Sequence, residues 1–109
     1  MMKKLNIDFK ISGTKITIPF EAICNVTDKK FTGFVISEYH PKNEVLEYVD
    51  LERYIQDITK EKLTAEELAN YVFMEITKTI KPNYLKVIVD VKNSEAHQPA
   101  EVWIESDKE

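Results

Sequence analysis

One cysteine stands in this chain, Cys24, in the run Pro19-Phe20-Glu21-Ala22-Ile23-Cys24-Asn25-Val26-Thr27. It ends a strand-like alternation and precedes a polar turn, Thr27-Asp28-Lys29-Lys30. A thiol at such a place is a candidate nucleophile, because the thiolate attacks electrophilic carbon once its pKa is drawn below roughly 8.5. Lys29, Lys30 or the start of a neighbouring helix are the available sources of that shift. The plain alternative is a small buried hydrophobe, the commonest state of a lone cysteine. Asp28 and Thr27 lie close enough in sequence to hold a proton or orient a nucleophile, and both also suit an ordinary turn. Glu66 and Glu67 stand at the head of a predicted helix, where a first-turn acid favours the dipole and the capping role explains Glu67. His40 and His97 stand in polar loops without a second His, Asp or Glu at metal-ligand spacing. They read as surface residues, and no metal site is expected.

The elements that must position these groups follow from periodicity. Leu5, Ile7, Phe9 and Ile11 alternate with polar residues, the period of a half-buried strand. After the turn Ser12-Gly13-Thr14 the alternation resumes at Ile16, Ile18 and Phe20 and carries on toward Val26. Residues 31–39 are rich in Phe, Val, Ile and Tyr and read as a further strand, closed by His40-Pro41-Lys42-Asn43. The period then becomes helical: Leu51, Tyr54, Ile55 and Ile58 share one face. Thr64-Ala65-Glu66-Glu67 is a capping box that starts a second helix. Leu68, Val72, Ile76 and Ile80 form its apolar stripe, and Pro82 stops it. Leu85, Val87, Val89 and Val91, then Ala100, Val102 and Ile104, alternate as two last strands, and residues 106–109 read as a fraying tail. Strands, two helices and strands in that order predict an α+β fold, an antiparallel four-stranded sheet with two helices on one face. The expected organisation is a single domain over residues 1–109.

Composition narrows the function. The chain is 43% hydrophobic and 31% charged with two glycines, which predicts a packed core rather than disorder. The net charge of −4 excludes a grip on nucleic acid through bulk charge and leaves room for a local basic patch. Lys3, Lys4, Lys10 and Lys15, and the interhelix Lys60 and Lys62, are the lysines available for phosphate, although a solvated Lys/Glu face explains them as well. One cysteine makes no internal disulfide. No apolar run approaches a membrane span and no apolar signal core follows the basic start, so the cytoplasm is the expected compartment.

From Cys24 onward the chain resembles the tunnelling-fold enzymes that act on planar purines and pterins. Among them it looks like the nitrile reductases of the queuosine pathway and the related amidinotransferases of archaeosine synthesis. Phe20-Glu21-Ala22-Ile23-Cys24 with Thr27 is similar to the segment that bears their nucleophilic cysteine. Phe34-Val35-Ile36-Ser37, Tyr39 and Pro41 match the strand that follows, and Glu47 with Leu51 and Tyr54 the start of the first helix. Glu66 with Asn70 matches the head of the second helix, and Pro82-Asn83-Tyr84-Leu85-Lys86-Val87 the entry to the next strand. The resemblance implies that Cys24 attacks the nitrile of a 7-cyano-7-deazaguanine base as a catalytic thiolate. It implies that Glu66 and Glu47 bind that base, Glu66 by accepting two N–H bonds from its edge. Both glutamates also have a plain reading, as helix-start acids that favour the dipole. The family further implies homo-oligomeric rings with sites between subunits.

The departures from the family point within it. Phe31 falls where the reductases carry an acid/base aspartate, and Ala65 where they carry a histidine. Their cofactor-binding lysines fall at Val49 and Glu52, and their Arg-Gly-Gly segment is missing from residues 91–96. Without those cations nothing holds the NADPH phosphates. The expected activity is therefore that of an amidinotransferase, not an NADPH reductase. It would convert the cyano base, within tRNA, to the amidine through a cysteine thioimide. No cofactor is expected, and ammonia is the nitrogen donor. Two alternatives stay open: a lapsed tunnelling-fold module that binds a purine or pterin without turnover, and a small α+β interaction domain with Cys24 in its core.

Overall fold

Hydrophobic alternation along four long segments builds the main sheet. The computed structural model describes residues 2–107. Its elements are β1 (Lys4–Asn6), β2 (Thr14–Ile23), β3 (Lys30–His40), β4 (Glu44–Leu46), α1 (Tyr48–Ile58), α2 (Ala65–Ile80), β5 (Tyr84–Ser94) and β6 (Ala100–Glu105). The four-stranded sheet runs β2-β3-β5-β6, antiparallel throughout. One face takes Ile18, Phe20 and Ala22 of β2, Phe31, Val35 and Tyr39 of β3, and Leu85, Val87, Val89 and Val91 of β5, all buried. Both helices cover that face, α2 against β5 and β6 and α1 against β2. Leu51 and Ile55 of α1, and Leu68, Val72, Ile76 and Ile80 of α2, close the core, as their spacing predicts. Each such fully buried aliphatic side chain contributes about 1.5–3 kcal/mol.

The strand expected over residues 5–11 is the main departure. Only Lys4–Asn6 is extended, and it pairs with β4 in a separate two-stranded sheet. Leu5 and Phe9 remain exposed. Alternation states that a segment suits a sheet; it does not name the partner, and β4 lies beside this segment because the chain turns back at residues 41–43. The tail differs too. Ser106 donates its N–H to the Leu85 carbonyl at 2.8 Å, and its Oγ accepts from the Leu85 N–H at 2.9 Å. Ser106 thus continues the β5–β6 pairing; Lys108 and Glu109 lie outside the described residues.

Tyr39 joins the two sheets. It is fully buried, and its hydroxyl accepts the Leu46 N–H at 3.1 Å. Burial raises its pKa. Tyr39→Phe removes the acceptor and leaves a buried N–H without a partner. A loss of about 1–3 kcal/mol is expected in urea unfolding; an unchanged midpoint would show that the hydroxyl contributes nothing.

Candidate functional site

Cys24 is the first residue after β2, where the chain leaves the sheet in a tight turn. The Cys24 N–H donates to the Lys29 carbonyl and the Asp28 N–H to the Cys24 carbonyl, both at 2.9 Å. Asp28 adopts a left-handed φ of 59°, a conformation aspartate tolerates better than most residues. This closed turn folds backbone donors around the sulfur. The Val26 N–H lies 3.4 Å from Sγ, and the Thr27 N–H and hydroxyl join it. These contacts, the Thr27 N–H first, lower the thiol pKa against the opposing effects of burial and the Glu66 charge. The expected helper lysines play no part, since neither lines the pocket and Lys30 pairs with Glu21 at 3.4 Å.

The turn is fastened to the head of α2. Asn25 Nδ2 donates to Glu67 Oε1 at 3.0 Å, and the Leu63 N–H to the Ile23 carbonyl at 3.0 Å. Glu67 also closes the capping box. Its Oε1 accepts the Thr64 N–H at 2.9 Å, and the Thr64 hydroxyl accepts the Glu67 N–H at 3.1 Å. The Thr64 N–H, and after it the Asn25 amide, hold the Glu67 carboxyl below its ordinary pKa. With Glu67 spent on structure, Glu66 is the acid left facing the thiol.

Cys24, Thr27, Glu66 and His97 line one pocket of about 120 Å³, walled by Phe31 and Ala65. Phe31 and Ala65 thus stand at the site, where the resemblance places an aspartate and a histidine. Glu66 is exposed on the first turn of α2, and no ion pair engages its carboxylate among the described residues. Glu47 is elsewhere. It is the N-cap of α1, with Oε2 accepting from the Val49 N–H at 3.0 Å and Oε1 from the Asp50 N–H at 3.2 Å. Within one chain it does not reach the cysteine pocket. His97 is the residue that periodicity and spacing miss. It lies 73 positions after Cys24 in a loop, and the pairing of β5 with β6 beside β3 carries it to the wall of the cysteine pocket. Asp28, a sequence candidate for the acid, is held as a carboxylate by Lys62 at 2.8 Å and does not line the pocket. Lys4 and Lys60 pair with Glu44 and Asp57, which leaves them a solvated mixed-charge surface.

A larger groove of about 560 Å³ lies along Pro19, Phe34, Gln56 and Lys92. Its charged groups are already paired, Glu21 with Lys30 and Lys92 with Asp90, so it holds no acid–base couple free to act. Among the described residues no group of three His, Cys, Asp or Glu side chains is placed to hold a metal, and no helix is long and apolar enough to cross a membrane.

The lowered thiol has a kinetic signature. A lower pKa means more thiolate at a given pH. The alkylation rate of Cys24 by iodoacetamide is expected to reach half its plateau at a pH below the ordinary thiol value of about 8.5. Thr27→Val, which deletes a sulfur-directed hydroxyl, shifts that midpoint upward. A midpoint at or above the ordinary value in the unaltered protein contradicts the turn geometry.

No family model matches the chain. It is 26% identical over 77 residues to the NADPH-dependent 7-cyano-7-deazaguanine reductase of Sulfurimonas denitrificans. That match covers 70% of this chain and spans 62% of the reductase's length. The crystal structure of the archaeosine synthase QueF-Like in the apo form superposes with a TM-score of 0.81 at 22% identity, over 90% of this chain and 96% of that one. The likeness to the synthase shows a common fold.

Proposed function

Taking the chain as a tunnelling-fold protein of the 7-cyano-7-deazaguanine reductase-like family, we propose that it converts the nitrile of a 7-cyano-7-deazaguanine nucleotide in tRNA to an amidine, without NADPH. One observation carries this reading: a thiol activated by its own turn faces a carboxylate across a shared pocket. The Cys24 thiolate attacks the nitrile carbon. A sulfur–carbon bond forms, and one π pair of the C≡N bond moves to nitrogen, which takes a proton to give the thioimide. Ammonia then adds to the same carbon and loses a proton. The sulfur leaves as thiolate, and the amidine remains. Glu66 holds the base through two N–H donors on its ring edge.

The make-up of the groove at the start of α1 supports the reading without NADPH. The groove beside the start of α1 holds Lys15, Val49 and Glu52. It offers one cation beside a carboxylate where a dinucleotide's phosphates need several cations. The cysteine pocket of one chain, about 120 Å³, is below the roughly 300–1,000 Å³ of a complete small-molecule site. In this reading a second copy of the chain covers the rest of the base, in a homo-oligomer, and the small volume of the one-chain pocket supports it. Phe31 and Ala65 favour a second reading, the same pocket binding its base without turnover.

Intact mass after incubation with 7-cyano-7-deazaguanine tests the first reading. A single covalent addition is expected, followed by amidine formation when ammonium and cyano-modified tRNA are supplied without NADPH. Saturable binding without an adduct would instead establish the second reading, and absence of both would leave a small interaction domain. Glu66→Gln is expected to weaken base binding about 10–150-fold, the worth of hydrogen bonds to a charged acceptor. Equal affinity by titration calorimetry would remove Glu66 from the site.

A further inference from the structure

We propose that His97 carries the protons of this reaction, a role that rests on the thioimide reading above. The chemistry needs a group that gives a proton to the nitrile nitrogen as sulfur attacks and takes one from ammonia as it adds. Phe31 and Ala65 cannot do this, Asp28 is tied to Lys62 outside the pocket, and Glu66 is committed to the base. The Thr27 and Thr64 hydroxyls line the pocket but hold their protons too tightly near neutral pH. Imidazole is the side chain suited to both transfers, and His97 is on the pocket wall with Cys24.

Its presentation there is built by named contacts. The Cys24 N–H donates to the Lys29 carbonyl, which fixes the turn against the start of β3. At the next residue the Lys30 N–H donates to Glu95 Oε1 at 3.2 Å, while the Glu95 N–H donates to the Lys30 carbonyl at 3.0 Å. The β5–β6 loop is thereby clamped beside the cysteine turn. Within that loop Ser94 Oγ accepts the N–H groups of Ala96 and His97 at 3.1 and 3.2 Å. His97 Nδ1 lies 2.6 Å from the Gln98 carbonyl. A carbonyl oxygen only accepts, so Nδ1 carries a hydrogen, and Nε2 is the nitrogen that gains and loses the proton.

The balance closes on that nitrogen. As the Cys24 sulfur bonds to carbon, the imidazolium Nε2–H passes its proton to the nitrile nitrogen and becomes neutral. As ammonia bonds to the same carbon, neutral Nε2 takes a proton from it. Carbon–sulfur cleavage then returns the electron pair to sulfur. Thiolate and imidazolium are restored, and nitrile plus ammonia has become amidine.

The test is the rate of adduct formation with 7-cyano-7-deazaguanine in the full chain, unaltered and as His97→Ala and His97→Gln. Both variants are expected to form the adduct about 10²–10⁴-fold more slowly, with base affinity unchanged. Added imidazole is expected to accelerate the alanine variant and leave the unaltered protein unchanged. A variant rate equal to that of the unaltered protein overturns the assignment alone. So does a slow alanine variant that imidazole does not accelerate, because that marks a packing role. An unaltered protein that forms no adduct overturns the proposed function and this role together.

Discussion

Cys24→Ala is expected to give no covalent adduct with the cyano base and to lower amidine formation roughly 10⁴-fold or more, the scale set by removing a nucleophile that works with its neighbours as a unit. The fold should survive. The side chain is half-buried, and its contact with the Val26 N–H, at 3.4 Å, is weak. The turn is closed by backbone bonds that the substitution leaves in place. Base binding should persist as well, because Glu66 is untouched. Cys24→Ser is the more demanding variant. It keeps a polar atom in the same ring of donors, but a hydroxyl's pKa is too high for those donors to ionise it near neutral pH, so it too should form no adduct. Intact mass and single-turnover assays read both results. Amidine production by the alanine variant at the unaltered rate would move the chemistry away from this turn altogether.

Gly33→Ala is expected to destabilise the protein by about 3–5 kcal/mol, a large part of the 5–15 kcal/mol that holds a small domain together. Strand β3 lies between β2 and β5, and the β3–β5 register shifts between Thr32 and Gly33. Backbones approach there so closely that a Cβ on residue 33 would overlap the Asp90 carbonyl oxygen and lie 3.0 Å from the Lys92 nitrogen. No side chain can swing aside, because the obstacle is the main chain of a neighbouring strand. The conformation at Gly33 is not the issue, since no glycine here has positive φ. The need is for room. The residues before the shift, Lys30 to Thr32, include the Phe31 wall of the pocket and the Lys30–Glu95 clamp. The variant should therefore also loosen the presentation of His97. Urea unfolding and amide exchange along β3 and β5 measure the effect; a loss under about 1 kcal/mol would mean that the strands separate there at little cost.

The parts of the fold that depend on residues near one another in sequence were legible without a structure. Alternation at Leu85, Val87, Val89 and Val91 named β5 and its buried face. The Thr64–Glu67 box placed the start of α2, and Pro82 its end, which comes with Lys81 in a left-handed cap at φ 47°. Cys24 stood out as the one cysteine, at the end of a strand, and Glu66 through the family resemblance at the head of α2; their shared pocket follows from the α2 head docking on the β2 exit. What depends on distant residues was not legible. The partner of Lys4–Asn6 is β4, because a strand's pattern reports its burial and not its neighbour. The thiol shift comes from the Thr27 N–H and hydroxyl and the Val26 N–H; two of these donors are backbone groups, which nearly every residue possesses and only a particular turn aims at one atom. His97 reached the pocket through the hairpin that β5 and β6 make beside β3. Residue type and local period are properties of the chain itself; the convergence of a thiol, a carboxylate and an imidazole on one small volume is a property of how strands pair, and that pairing is decided by packing across the whole sheet.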